Sequence, residues 1–212
     1  MKLKSTSFTD GMTLPSELAF AVIDENNVRT HITSGQNSNP HLLWSDVPAG
    51  TRSFVVICHD PDVPSLGDDV NKEGREVPAE LPRVDFYHWL LLDVSPTMRE
   101  INAGSHSTGV TAHGKSGPAA PGGLRHGVND YTHWFASDET MNGVYYGYDG
   151  PCPPWNDVLV HRYVFTVYAL DIESLNVKGS LEGANVLAAM EGHVLAQASL
   201  TGSYTLNPRL RR

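Results

Sequence analysis

Cysteine is scarce in this chain: Cys58 and Cys152 are the only two in 212 residues. Two are too few for a disulfide framework and too few to build a zinc site of their own. Each lies beside one of the motifs C-H-D-P-D and Y-D-G-P-C-P-P, which leaves their pairing open. Basic charge is short as well. With 15 Lys and Arg against 24 Asp and Glu the net charge is −9, and no basic run offsets it, so a phosphate backbone is repelled and a nucleic-acid partner is excluded. No uninterrupted apolar run is long enough to span a bilayer, and the opening M-K-L-K-S-T-S-F-T-D lacks the apolar core of a signal peptide. The expected location is the reducing cytoplasm. Catalytic signatures are missing too: G-x-S-x-G, C-x-x-C and H-E-x-x-H do not occur.

Helical periodicity is sparse. Only residues 183–197 carry it, with Val186, Leu187, Met190, Val194 and Leu195 on one face. Gly192 inside that stretch costs about 1 kcal/mol of helix propensity. Short β-branched runs dominate instead. Residues 53–59 (S-F-V-V-I-C-H) read as a strand stopped by Asp60-Pro61, and 88–94 as one stopped by Ser95-Pro96. Residues 161–170 are apolar at both parities, as in a central strand buried on both faces, and 198–206 read as a final strand. Residues 19–23 are a weaker strand candidate. Two stretches, about 65–85 and 102–127, lack periodicity, and loops of that length inside a compact domain are usually functional. His106, His113, His126 and His133, in and just after the second stretch, read as solvated loop histidines. The expectation is one mainly-β domain over residues 1–212 with a C-terminal helix and a final strand.

Strand polarity brings three distant residues together. On this reading Asp60 ends its strand, whereas His88 and His161 each open one. Antiparallel neighbours place the end of one strand beside the start of the next, so the three gather on one rim. Parity puts His88 on the face of Leu90 and Leu92, and His161 on that of Phe165 and Val167. Each histidine then sits at the edge of an apolar layer, a suitable wall for a small concave site. Gly150-Pro151-Cys152-Pro153-Pro154 restricts the backbone there, with φ near −65° at each proline.

The motifs at these positions resemble those of the phosphatidylethanolamine-binding protein family. D-P-D-x-P is matched by Asp60, Pro61, Asp62 and Pro64, and the following histidine by His88 beside Trp89. Y-x-G-x-x-P-P is matched by Tyr148, Gly150, Pro153 and Pro154, and H-R-Y by His161, Arg162 and Tyr163. The likeness is strongest to the bacterial, Raf-kinase-inhibitor-like branch, because a short helix and a strand end the chain. It implies an antiparallel β-sandwich and a small anion-binding pocket with Asp60, Asp62, His88, Tyr148, Gly150, Pro154, His161 and Tyr163 as ligand-binding residues. It implies no metal and no cofactor, a regulatory role toward a protein kinase or protease, and a homodimer. The link 155–160 departs from the pattern in lacking glycine, and Trp155 within it is expected to close the pocket's mouth.

The chemistry suits a phosphate-bearing or other small anionic ligand. A histidine titrates near 6.5, so a protonated His88 or His161 would donate to a phosphoryl oxygen, and affinity is expected to strengthen from pH 8 toward 6. Asp60 would orient a histidine and favour its charged form. The competing reading is a hydrolase or lyase using Asp60, His88 and His161 as acid, base or metal ligands, with Cys152 as a candidate nucleophile. The missing signatures favour a non-catalytic binding protein.

Overall fold

The computed structural model describes residues 1–24, 26 and 32–210. Ten strands and two α-helices occur among them. In chain order they are β1 (Lys2–Lys4), β2 (Ala21–Ile23), β3 (Ile32–Ser34), β4 (Leu42–Ser45), β5 (Ser53–Pro64), β6 (Arg83–Val94), β7 (Glu100–Ile101), β8 (Arg125–His126), α1 (Tyr131–Trp134), β9 (His161–Leu170), α2 (Gly183–Met190) and β10 (Val194–Tyr204). A five-stranded sheet runs β10-β9-β5-β6-β8, a three-stranded sheet β1-β4-β7, and β2 and β3 form a hairpin pair. Every strand pairing is antiparallel.

The central strands explain the apolar runs. In β5, Phe54, Val56 and Cys58 face one way and meet Leu42 and Trp44 of the smaller sheet, together with Trp89, Leu91, Phe165 and Val167. Val55 and Ile57 face the other way and pack with Leu90, Leu92, Leu170 and the Val186 and Met190 side of α2. The five-stranded sheet is therefore buried on both faces, a β-sandwich on one side and a helix on the other. Each fully buried Val, Leu or Ile contributes roughly 1.5–3 kcal/mol.

Several boundaries differ from the sequence reading. The helix stops at Met190, because Gly192 adopts φ +79°. Val194 and Leu195 consequently leave the helix face and open β10, where they are exposed. Asp60-Pro61 does not end β5, which continues to Pro64. Proline is tolerated there because pairing with β9 stops at His59↔Val164, and the register with β6 skips from Asp60↔Phe86 to Val63↔Val84. His88 does not open β6 but lies in its middle.

The long loops are anchored rather than free. Asn156 binds the carbonyls of Asp69, Lys72 and Arg75 through Nδ2, and Val77 bridges Asp157 in parallel. His126 is not solvated: it is buried, pairs with His106 at 3.1 Å, and burial drops its pKa to about 4.

Candidate functional site: a cavity where two strands part

The parting of β5 and β9 beyond His59↔Val164 opens a gap at the sheet's end. A cavity of about 50 Å³ fills it, lined among others by Asp60, Phe86, His88, Tyr131, Trp134, Cys152, Pro154, His161 and Tyr163. That is room for roughly four waters or one compact head group. Five of the residues expected at a site are thus at one wall: Asp60, His88, Pro154, His161 and Tyr163.

A β-bulge puts His88 there. Cys58 pairs with Trp89 but His59 pairs with Tyr87, so His88 is the extra residue on β6. The bulge overturns the parity expectation. Instead of lying with Leu90 and Leu92, His88 turns toward the opposite core, its ring within 5.2 Å of Tyr163 and 5.5 Å of Tyr131. Backbone bonds clamp it. Asp149 N–H donates to the His88 carbonyl at 3.0 Å, and His88 Nδ1 donates to the Asp149 carbonyl at 2.7 Å. A carbonyl only accepts, so Nδ1 carries the hydrogen. Burial disfavours a second proton and lowers the His88 pKa to about 4.

His161 is the reverse case. Nδ1 lies 2.7 Å from Asp60 Oδ2 and Nε2 lies 3.0 Å from Asp157 Oδ2, all three side chains buried. Two carboxylates can only accept, so the ring is a doubly donating imidazolium. Burial works against that charge, but the hydrogen bonds to Asp157 and Asp60 and their fields outweigh it and raise the pKa to about 9. Arg83 completes the row by a forked contact with Asp157 at 2.5 and 3.1 Å. Burial pushes the Asp157 carboxyl upward, yet the bonds from His161 and Arg83 prevail and hold it low. The chain of charges Arg83–Asp157–His161–Asp60 alternates in sign.

These values replace the shared titration near 6.5. Neither histidine changes charge between pH 6 and 8, and both His161 nitrogens are already committed to carboxylates. The expected strengthening of affinity from pH 8 to 6 loses its basis.

Three expected site residues stand behind the cavity rather than on it. Asp62 forks onto Arg162 at 2.7 and 2.9 Å. Tyr148 is buried against Trp89 and donates its hydroxyl to the Leu18 carbonyl. Gly150 donates its N–H to Asn37 Oδ1 and accepts from the Tyr131 hydroxyl at 2.8 Å, which sets the position of Tyr131. A Cβ on Gly150 would sit 1.9 Å from the Leu18 carbonyl oxygen, a backbone atom. Gly150→Ala should therefore cost at least roughly 1–3 kcal/mol of stability, read as a lower urea midpoint. An unchanged midpoint would show that the backbone relaxes without penalty.

Trp155 does not close the mouth. It lines a separate surface cleft with Asp69, Arg75 and Arg209, whereas Trp134, 46% exposed, borders the cavity. Cys58 and Cys152 are both free thiols, and burial pushes Cys152 up to about 12, which removes it as a nucleophile at neutral pH. His59 stays off the cavity, as parity predicts, with its ring beside Tyr87.

Sequence reasoning missed Asp157, Arg83 and Trp134. Asp157 carried a faint signal, lying four residues before His161. Arg83 and Trp134 carried none, because their contacts span the long loop and α1.

The chain as a whole has relatives. A family model described as Phosphatidylethanolamine-binding protein matches residues 4–205. The chain belongs to the phosphatidylethanolamine-binding protein family. Within it, the chain is 33% identical to UPF0098 protein YbhB of Escherichia coli over 97% of this chain and 100% of that one. It is 32% identical to a UPF0098 protein of Methanothermobacter thermautotrophicus over 96% and 98%. Among solved structures it resembles E. coli YbcL, described as a new member of the mammalian PEBP family, with TM-score 0.68 at 26% identity, covering 96% and 97% of the two chains. A Chlamydia trachomatis homologue, CT736, superimposes with TM-score 0.59. The family's mainly-β fold is the fold described above. Among the described residues no helix is long and apolar enough to cross a membrane, and no cluster of three His, Cys, Asp or Glu side chains is disposed to hold a metal ion.

Proposed function

We propose that this chain is a non-catalytic binding protein whose cavity takes a small phosphate-bearing or other oxyanionic head group. One observation carries the reading. Tyr163 lines the cavity and is buried, and its hydroxyl has only a poorly aligned contact with Asp60 in place of a full hydrogen bond. A buried donor so weakly partnered costs up to about 1–3 kcal/mol, part of which an acceptor reaching it recovers. The paired charges around it support the same reading. Asp60 is matched by His161 and Asp157 by Arg83, so the wall carries little net repulsion. The family's name adds a phosphate-containing lipid head group as the kind of ligand to try. Catalysis is disfavoured because His161 has no free nitrogen, His88 is a weak base and Cys152 stays a thiol. A kinase or protease partner would be a separate property of the surface and is not needed for this reading.

Calorimetric titration with glycerol 1-phosphate, on wild type and Tyr163→Phe, tests the proposal. Binding without release of inorganic phosphate is expected, weakened roughly tenfold or more in Tyr163→Phe by loss of one charge-assisted hydrogen bond. Turnover abolished by both His88→Ala and Asp60→Asn would instead establish the hydrolase.

A further inference from the structure

We propose that Asp149 and Lys115 are positioning residues for His88, and that through this buried ion pair the long loop of residues 102–127 sets which ring nitrogen of His88 carries the hydrogen. Neither residue lines the cavity. The inference concerns the protein alone and holds whatever ligand the cavity takes.

The main chain of Asp149 grips His88 on two sides. Its N–H donates to the His88 carbonyl at 3.0 Å, and its carbonyl accepts the Nδ1 hydrogen at 2.7 Å. The side chain of the same residue is fully buried and is gripped in turn from three separate segments. Oδ1 accepts from Lys115 Nζ at 2.5 Å and from Asn37 Nδ2 at 2.7 Å, and Oδ2 accepts from Asn129 Nδ2 at 2.9 Å. The two amides cannot turn round. Asn37 Oδ1 accepts the Gly150 N–H and Asn129 Oδ1 accepts the Tyr131 N–H, so each amide presents its hydrogens to Asp149. All three groups bonded to the carboxylate are donors, and only a side chain that accepts at both oxygens fits among them.

Of the three donors, Lys115 carries the charge. Burial pushes the Asp149 carboxyl upward, and Lys115 is the first of the groups that oppose it. With its side chain 19% exposed, Lys115 ties the long loop to the region behind His88. Without that cation a carboxylate is buried unpaired, which is costly enough that it turns toward water or takes up a proton. A proton there would confront one of the remaining donors with another hydrogen. Either change loosens residue 149, and the bond from His88 Nδ1 loosens with it. The position of the single hydrogen on a neutral imidazole is set by the partners its nitrogens meet. With the Asp149 carbonyl in place it stays on Nδ1, and Nε2 keeps a lone pair; with the carbonyl displaced, the hydrogen is shared with Nε2.

Nitrogen-15 NMR of the histidine-labelled protein at pH 7, where burial keeps His88 neutral, reads the tautomer directly. A ring nitrogen resonates at a different frequency with and without its hydrogen, and the signals missing from His88→Gln identify this ring among the ten histidines. Wild-type His88 should carry its hydrogen on Nδ1. In Lys115→Met and in Asp149→Asn the ratio of Nδ1–H to Nε2–H should fall roughly five- to tenfold, the effect of losing one hydrogen bond. Val186→Ala, a core truncation under α2 on the opposite face of the sheet, lowers stability too but should leave the ratio unchanged. If Lys115→Met fails to fold, Lys115→Gln, which keeps a donor and drops the charge, should show the same shift. Hydrogen on Nε2 in the wild type overturns the inference without any variant. A wild-type ratio in the folded Lys115 variant, or an equal shift in Val186→Ala, overturns it as well.

Discussion

His161→Ala should lower the stability of the protein by about 3–5 kcal/mol, the range for removing one partner of a buried charge pair. The substitution deletes the cation between Asp60 and Asp157, leaving two buried carboxylates facing each other across the gap. Arg83 still holds Asp157, but Asp60 loses its cation and keeps the Asp62 N–H. Urea unfolding monitored by tryptophan fluorescence reads the loss. The cause is separable from simple cavity formation by repeating the substitution in an Asp60→Asn background. There the same change should cost markedly less, because one of the stranded charges is already gone. A loss under 1 kcal/mol in the wild-type background would mean that water enters and solvates both carboxylates, and that the ring is not the charged bridge described here.

Stability should also peak near pH 6.5 and fall on both sides. His161 titrates near 9 in the fold and near 6.5 when unfolded, so its contribution is complete below 6.5 and drains away as pH rises to 9. The shift corresponds to about 3 kcal/mol. His88 and His126 behave oppositely. Both titrate near 4 in the fold, so their contributions are complete above 6.5 and are lost as pH falls toward 4. Asp157, held below its ordinary value, adds a loss only at still lower pH. Urea midpoints at pH 4, 6.5 and 9 should trace a dome, steeper on the acid side because two histidines act there. His161→Gln should flatten the alkaline limb, and His126→Gln should soften the acid one. Midpoints level from pH 5 to 9 would contradict the burial of these charges.

Much of this architecture was legible in the residues. The run His161–Leu170 was readable to its ends, because a strand buried on both faces is apolar at both parities, as this run is. The meeting of Asp60, His88 and His161 followed from strand polarity and from the family motifs. The three residues do meet at one end of the sheet, although two premises of the polarity argument were wrong: β5 does not end at Asp60 and β6 does not begin at His88. The helix was over-extended for a similar reason. Val194 and Leu195 continue its period, and only the positive φ of Gly192 turns the chain out of it.

What the sequence determined by itself is the set of strands, the scarcity of helix, and which aspartate and histidines line one cavity. These follow from local period, from proline and glycine placement and from polarity, all written along the chain. Only the tertiary structure decided the protonation of that site. A bulge turns His88 into the apolar core and onto a backbone carbonyl, where burial keeps it neutral. Asp157 and Asp60, 97 positions apart by their numbers, close on His161 from both sides and keep it charged. Two histidines with one intrinsic pKa are driven to opposite charge states because desolvation and opposing charge depend on distance in space, and distance in space is what a sequence does not record.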